Sequence, residues 1–204
     1  EFIETIVDLA KKIKPGQSYG PATMPSQLKV IQSHLDDAKA KGAKFLLGGS
    51  DSVKGAFVEP VIMVDVPEDS TAMTQETFGP TLAINKVLNT DEAIKLSNAS
   101  SYGLAAAVFS KREGEKIASK LACGMVSINS VFLFAAIASV PFGGVKDSGY
   151  GRIHGGEGLL EYTYARSVVK TRFKIPLRFT TFKRTKFSEK ILTLLIKKLY
   201  GRRK

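Results

Sequence analysis

An α/β domain with a largely parallel sheet flanked by helices is the fold class this sequence predicts, on three observations. Apolar residues recur at helical spacing in some segments and as short β-branched runs in others. The two kinds of segment alternate along the chain, the pattern left by helices crossing between parallel strands. The 204 residues are 44% hydrophobic and 24% charged, which suits one sizeable core and not a disordered chain.

The elements follow in order. Phe2, Ile3, Ile6, Leu9, Ala10 and Ile13 share one helical face, so a helix is expected from Phe2 to Ile13, ended by Pro15-Gly16. Leu28, Ile31, Leu35 and Ala38 predict a second helix over Ser26 to Lys41, with Gly42 as its stop. Ala43 to Leu47 reads as a strand, Gly48-Gly49 as a turn, and Phe57 to Val66 as a strand interrupted by Pro60. Thr81 to Val87 alternates as a strand does, and Thr90-Asp91-Glu92 opens a helix through Asn98. Leu104 to Phe109 reads as a buried strand, Arg112 to Leu121 as a helix, and Gly124 to Asn129 as a strand. From Pro141 glycine becomes dense and periodicity disappears until Val168.

Charge divides the chain more sharply than hydropathy. Residues 166–204 hold fourteen Lys and Arg against one acid, Glu189, a net +13; the whole chain is +11, which leaves residues 1–165 at −2. A body so nearly neutral does not present a uniform nucleic-acid surface, and no nucleic-acid partner is expected. In the tail, Phe187, Ile191, Leu194, Leu195 and Leu199 fall on one helical face, flanked by Lys186, Lys190, Lys197 and Lys198 and followed by Arg202-Arg203-Lys204. This is a basic amphipathic helix. The body, a partner subunit and an anionic membrane all suit it as a cover.

Generic motifs exclude several chemistries. No Gly-Lys pair occurs for a phosphate loop, and the glycines of Gly149 to Gly155 are out of register for a dinucleotide fingerprint, which would need glycine at His154. No cysteine–histidine cluster suggests zinc. His34 is expected on a polar helix face, and His154 in a positional role in its glycine-rich loop. Cys123, the one cysteine, forms no intrachain disulfide, which favours a reducing, cytoplasmic setting. Its place at a helix C-terminus opposes a thiolate, so it is not expected to be a nucleophile. Glu1-Phe2-Ile3-Glu4 lacks the bases of a signal peptide. The chain starts without Met, as a fragment or processed product does.

Two segments carry a specific signal: Gln75-Glu76-Thr77-Phe78-Gly79-Pro80, and Pro141-Phe142-Gly143-Gly144-Val145-Lys146-Asp147-Ser148-Gly149-Tyr150-Gly151-Arg152. Both resemble signature segments of the aldehyde dehydrogenase superfamily, in its order and near its separation. Gly20-Pro21, Ala43 with Gly48-Gly49, Asn98 to Leu104, Gly124 to Asn129, and Gly158-Leu159 with Tyr162-Thr163 extend the resemblance over roughly residues 1 to 175. The loop and tail are similar to actinobacterial succinate-semialdehyde dehydrogenase-like members.

On the residues alone, Glu76 and Phe78 read as a capping acid and a core phenylalanine. The resemblance implies a different pair of roles. A carboxylate accepts hydrogen bonds from both ribose hydroxyls, and an aromatic ring packs against sugar and nicotinamide. Glu76 and Phe78 are therefore expected to contact NAD or NADP. The resemblance also implies that Phe142 faces the nucleophile and that the apolar stretch Val131 to Val140 lines an aldehyde tunnel; ordinary core is its plain alternative. In the family, a cysteine thiolate attacks the aldehyde, hydride passes to the nicotinamide, and water hydrolyses the thioester. That cysteine, the general-base glutamate, the oxyanion-hole asparagine and the phosphate-binding domain lie upstream of the matching region. The chain is thus expected to be a C-terminal portion, inactive without a missing N-terminal part. A non-catalytic assembly or membrane-associated subunit is the alternative. The divisions expected are 1–165 for the partial catalytic domain, 166–178 for an oligomerisation strand that pairs subunits of a homo-oligomer, and 179–204 for the tail.

Overall fold

The computed structural model describes residues 1–173, 182 and 185–201. The chain divides into two units, Glu1–Thr163 and Tyr164–Lys204. The first opens with α1 (Phe2–Ala10), which stops short of the expected Ile13. Its last turn tightens, with Lys12 N–H donating to Leu9 O and Ile13 N–H to Ala10 O. The helix therefore closes four residues before Pro15 begins.

Helix α2 (Pro25–Ala40) starts on a proline, whose fixed φ suits a first turn, and Gly42 follows it at φ +94°. Then come β1 (Lys44–Leu47), β2 (Val53–Lys54), β3 (Phe57–Val58) and β4 (Val61–Val64). Pro60 separates β3 from β4, as expected. Strand β2, unforeseen from the sequence, forms a hairpin with β3 across Gly55-Ala56, where Gly55 takes φ +61°. A short helix α3 (Thr71–Thr74) and β5 (Thr81–Ile84) follow.

Strand β4 pairs antiparallel with β1 and parallel with β5. Helix α3 makes the crossover that a parallel pair requires. Where the β4–β5 ladder ends, Asn85 extends it: its Oδ1 accepts from Val66 N–H at 2.9 Å and its Nδ2 donates to Val66 O at 2.7 Å. Ile31, Leu35 and Ala38 of α2 lie in one core cluster with Val58, Val61, Met63 and Val66. Burying one side chain of this size contributes about 1.5–3 kcal/mol.

The rest of the unit is α4 (Thr90–Ala99), β6 (Tyr102–Gly103), β7 (Ala105–Val108), α5 (Gly114–Ala118), β8 (Met125–Ile128), α6 (Leu133–Ala136), β9 (Val145–Lys146) and α7 (Gly155–Leu160). Strands β7 and β8 pair in parallel through the α5 crossover, and β6 pairs antiparallel with β9.

Three expectations change. The strands do not form one largely parallel sheet; among the described residues they make four small sheets, with two parallel and three antiparallel pairings. Without a crossover helix, β1 and β4 are joined through the β2–β3 hairpin, which reverses direction. The Leu104 to Phe109 run is a strand but not a buried one: Leu104 is 43% and Phe109 67% exposed. Its sheet has two strands, and apolar alanines signal a strand without assuring a cover. The region after Pro141 is not without regular structure, since β9 and α7 lie in it.

Residues 166–173 of the second unit carry no strand pairing, and the remainder of the expected oligomerisation strand, 174–178, lies outside the described residues. Helix α8 (Lys186–Tyr200) begins with a capping box in which the Thr185 and Ser188 hydroxyls each accept from the other residue's backbone N–H. Arg202-Arg203-Lys204 lies outside the described residues. No described helix is long and apolar enough to cross a membrane.

One carboxylate ties α2 to α3. Asp37 Oδ2 accepts from Thr71 N–H and from the Ser70 hydroxyl, both at 2.8 Å, and Lys41 Nζ stands 3.4 Å from Oδ1. The Thr71 N–H, then the Ser70 hydroxyl, hold the Asp37 carboxyl down at about 2, with Lys41 adding to them against partial burial. A depressed folded value contributes stability above the unfolded value of roughly 3.9 and loses it as pH falls through the folded one. Asp37→Asn should lower the melting temperature at neutral pH. The gap from the parent protein should stay constant down to about pH 5 and close between about pH 4 and pH 2. Melting curves across that range check it; a gap that persists at pH 2 contradicts the assignment.

Candidate functional site

The Gln75–Pro80 segment leaves α3 and enters β5, and α2 grips it from below. On α2, Gln27, Ile31 and His34 sit on neighbouring turns. Gln27 Nε2 donates to Thr77 O. His34 Nδ1 lies 3.0 Å from Thr77 Oγ1, and its Nε2 lies 3.3 Å from Gln75 Oε1. An amide oxygen only accepts, so Nε2 donates to Gln75. Between them Ile31 closes on Gly79: a Cβ on that glycine would stand 2.8 Å from Ile31 Cδ1. The segment is thus held by side chains at Gln75 and Thr77 and by backbone contact at Gly79.

His34 is 3% exposed, which corrects the expectation of a polar, solvent-facing position. It flanks the apolar arc of Ile31, Leu35 and Ala38, and the loop that it meets is distant in sequence. The sequence signal was that flank position. Only the return of the chain after β4 supplies the partners.

The grip leaves Glu76 and Phe78 outward. Glu76 is exposed, and among the described residues its carboxylate enters no hydrogen bond or ion pair. It does not cap α3; Ser70 does, through Ala72 N–H. Phe78 is 77% exposed and its backbone sits at φ +43°, a conformation that L residues with large side chains rarely take. Such backbone costs about 1–3 kcal/mol and persists where its surroundings over-determine it. Neither residue occupies the capping or core role that the residues alone suggested.

Glu76 lines a cleft of about 220 Å³ with Asn98, Tyr102, Leu104, Cys123 and Ser148. Asn98 frames it by bridging to the turn before Cys123: its Oδ1 accepts from Ala122 N–H at 2.7 Å and its Nδ2 donates to Lys120 O at 2.8 Å. Ser148 Oγ accepts from Gly103 N–H at 3.1 Å. Lys146 Nζ, on a left-handed residue of β9, donates to Asn98 O and Ser100 O at 2.9 Å each.

Cys123 does not end a helix as expected, because α5 stops at Ala118; it lies in the following turn. Its Sγ donates to Met125 O at 3.2 Å. Burial pushes its thiol up, and the Met125 contact and the Lys146 charge only partly offset this. Lys146 is thus a nearby cation that the sequence did not reveal, but the thiol stays protonated at neutral pH.

Phe142 is not among the residues that line the Glu76 cleft. It is half-buried in an aromatic group, 6.1 Å from Phe134 and 5.9 Å from His154 between ring centroids. Phe142 and Ile153 exchange backbone hydrogen bonds at 2.7 and 2.8 Å. Arg152 braces the glycine loop by donating from one nitrogen to Gly144 O, Tyr150 O and Gly151 O. The Val131 to Val140 stretch is not ordinary core. Phe134 is buried, yet Phe132 is 71% and Leu133 54% exposed.

The family model described as the aldehyde dehydrogenase family matches residues 1–168. A Mycobacterium ulcerans protein named as a succinate-semialdehyde dehydrogenase (NADP+) is 39% identical over 183 residues, covering 84% of this chain and 35% of the relative. A 4,4'-diapolycopene aldehyde oxidase of a Methylomonas species is 37% identical over 182 residues, covering 86% and 34%. The structure of Staphylococcus aureus betaine aldehyde dehydrogenase in complex with NAD+ superposes with TM-score 0.72 at 36% identity, over 79% of this chain and 34% of that one. A mutant of Bacillus cereus aldehyde dehydrogenase gives TM-score 0.75 at 35% identity, over 81% and 35%. The chain spans about a third of the length of the relatives it matches. NADP+ is named for the mycobacterial relative and NAD+ for the Staphylococcus aureus structure, so the cofactor class is NAD or NADP.

Two outcomes are expected here. His34→Leu removes two hydrogen bonds and leaves Gln75 and Thr77 without their partner, so it should destabilise by about 1–3 kcal/mol. Hydrogen exchange should quicken first at residues 75–79. A uniform change over the whole unit would contradict the loop-specific grip. Cys123→Ser should leave the turnover of the complete enzyme unchanged, as a steady-state assay measures. A loss of thioester formation in a folded Cys123→Ser protein would contradict the protonated, non-nucleophilic reading.

Proposed function

Because this chain belongs to the aldehyde dehydrogenase family, we propose that it is the C-terminal portion of an NAD(P)-dependent enzyme that oxidises an aldehyde to a carboxylic acid. The observation that carries this reading is the gripped loop: Glu76 and Phe78 project from a segment whose other side chains are tied to α2. A free carboxylate and an exposed ring, two residues apart on a segment held in place beforehand, suit a ribose and its attached ring.

The fit to a nicotinamide nucleotide rests on the donor set. Ribose offers vicinal hydroxyl donors, and an unpaired carboxylate accepts both. Phe78 offers an apolar face with little motion to lose on binding, because its backbone is fixed by Gly79 and Thr77. When bound, the cofactor supplies the hydride acceptor. The chain's own residues orient the sugar through Glu76 and limit the swing of the nicotinamide end through Phe78. The nucleophile belongs to a part of the enzyme that this chain does not include, in keeping with the protonated setting of Cys123.

For the substrate, the exposed apolar side chains Phe132, Leu133, Ile137 and Val140 favour an uncharged or partly apolar aldehyde. Ser139 is the polar side chain near the end of that loop, a sparse provision for a second carboxylate. The Methylomonas relative is named for 4,4'-diapolycopene aldehyde and the mycobacterial one for succinate semialdehyde. The apolar loop aligns this chain with the first of these chemistries.

The test is Glu76→Gln in the complete enzyme. A neutral amide accepts ribose hydroxyls less well, and a hydrogen bond to a charged group is worth roughly 1.5–3 kcal/mol, or about a 10- to 100-fold loss in nucleotide affinity. Fluorescence titration with the reduced cofactor measures it. Unchanged affinity with unchanged turnover would overturn the assignment.

A further inference from the structure

Helix α8 has no part in the reading above, and its chemistry points elsewhere. We propose that α8 is an interfacial anchor that binds the surface of an anionic lipid membrane.

Projected down its axis, α8 has an apolar arc of roughly 140° running through Phe187, Ile191, Leu194, Leu195 and Leu199, which Leu192 and Ile196 extend to roughly 200° with Ser188 inside it. Lys186, Lys190 and Lys197 gather on the opposite side with Thr193. Phe187 is 69%, Leu194 67% and Leu199 71% exposed, while Leu192 and Leu195 are 39% exposed and Ile191 is half-buried. Lys198 interrupts the arc, and its four-carbon stem can lie along apolar surface with the ammonium at the polar boundary. The fifteen residues reach about 22 Å, less than the roughly 30 Å of a hydrocarbon core. The helix therefore lies on a bilayer and does not span one.

Charge selects the occupant. Residues 166–204 carry +13 and residues 1–165 carry −2. A nearly neutral body has little to offer so concentrated a positive charge, and a second copy brings the same positive tail. An anionic lipid surface complements it, and attraction to such a surface combines with burial of an apolar helix face in the headgroup region.

The chain lacks tryptophan, so Phe187→Trp places a single reporter on the apolar arc. The full 204-residue chain carrying it is mixed with vesicles of phosphatidylcholine holding about 30% phosphatidylserine, and with pure phosphatidylcholine, at low salt. The expected result is co-sedimentation and a blue shift with the anionic vesicles, and binding at least about tenfold weaker to the neutral ones. Raising salt from ~0.05 M to ~0.5 M should weaken anionic binding by a similar factor through screening. Two further variants, each made in the reporter chain, separate the contributions. Lys190→Glu with Lys197→Glu should lose the preference for anionic lipid. Leu194→Gln with Leu199→Gln should lose the blue shift, and circular dichroism reports that the chain remains folded. Absence of binding to anionic vesicles at low salt overturns the proposal, as does equal binding to both vesicles. A blue shift that rises with protein concentration alone, without vesicles, also overturns it and assigns the helix to contact between copies.

Discussion

The buried face of α2 is the constraint on which the rest of the first unit depends. Ile31, Leu35 and Ala38 enter the core beside β4 and leave the helix one orientation, because an apolar arc cannot be turned toward water without losing several kcal/mol. The flanks of that arc then point where polar partners must be found. Along one side of that arc Gln27 and His34 meet Gln75 and Thr77, and farther round the same side Asp37 meets Ser70 and Thr71. These contacts bracket α3 and the loop that follows it. The position of Glu76 and Phe78 is thus a consequence of hydrophobic packing some distance away, transmitted through a few directed hydrogen bonds.

The left-handed backbone at Phe78 makes sense in the same frame. An isolated segment would relax it, but Thr77 and Gly79 on either side are held by α2. The ring is presented outward where the hydrophobic effect alone would draw it in. A comparable tension runs through the Pro141 loop, where Gly143 and Gly144 lie so close to Arg152 and Ser148 that added side chains would collide. One guanidinium nitrogen of Arg152 meets carbonyl groups of the loop, while its backbone N–H donates to the Glu161 carboxylate. Both segments with family resemblance are therefore places where local preference is overridden by surrounding contacts, as expected where function and not folding sets the geometry.

The second unit obeys different physics. Its helix begins with a capping box and is amphipathic throughout, so local interactions suffice to define it. Its segment, residues 166–204, carries +13 where the nearly neutral residues 1–165 carry −2. Segments that match the aldehyde dehydrogenase family and a basic tail thus share one chain: one is ordered by a core, the other by a local helical pattern.

Much of this protein was determined by sequence alone, where the governing interactions are local. Helical and strand periodicity placed α2, β1, β5, α4 and β8, Pro60 separated β3 from β4, and the tail helix was legible from spacing and charge. The two family segments identified the superfamily, and the comparisons agree. Tertiary structure decided what depends on distant partners. His34 looks like a surface residue until the chain returns after β4 and supplies Gln75 and Thr77. Cys123 shares a cleft with Glu76 and feels Lys146 because β9 folds back beside β6, a pairing that no periodicity announces. The direction of each strand pair followed from whether a helix or a hairpin joined it, and the exposure of Leu104 and Phe109 from how few strands their sheet holds. Periodicity reports which face of an element is apolar; what that face meets, and whether anything covers it, is set by packing between segments far apart in the chain.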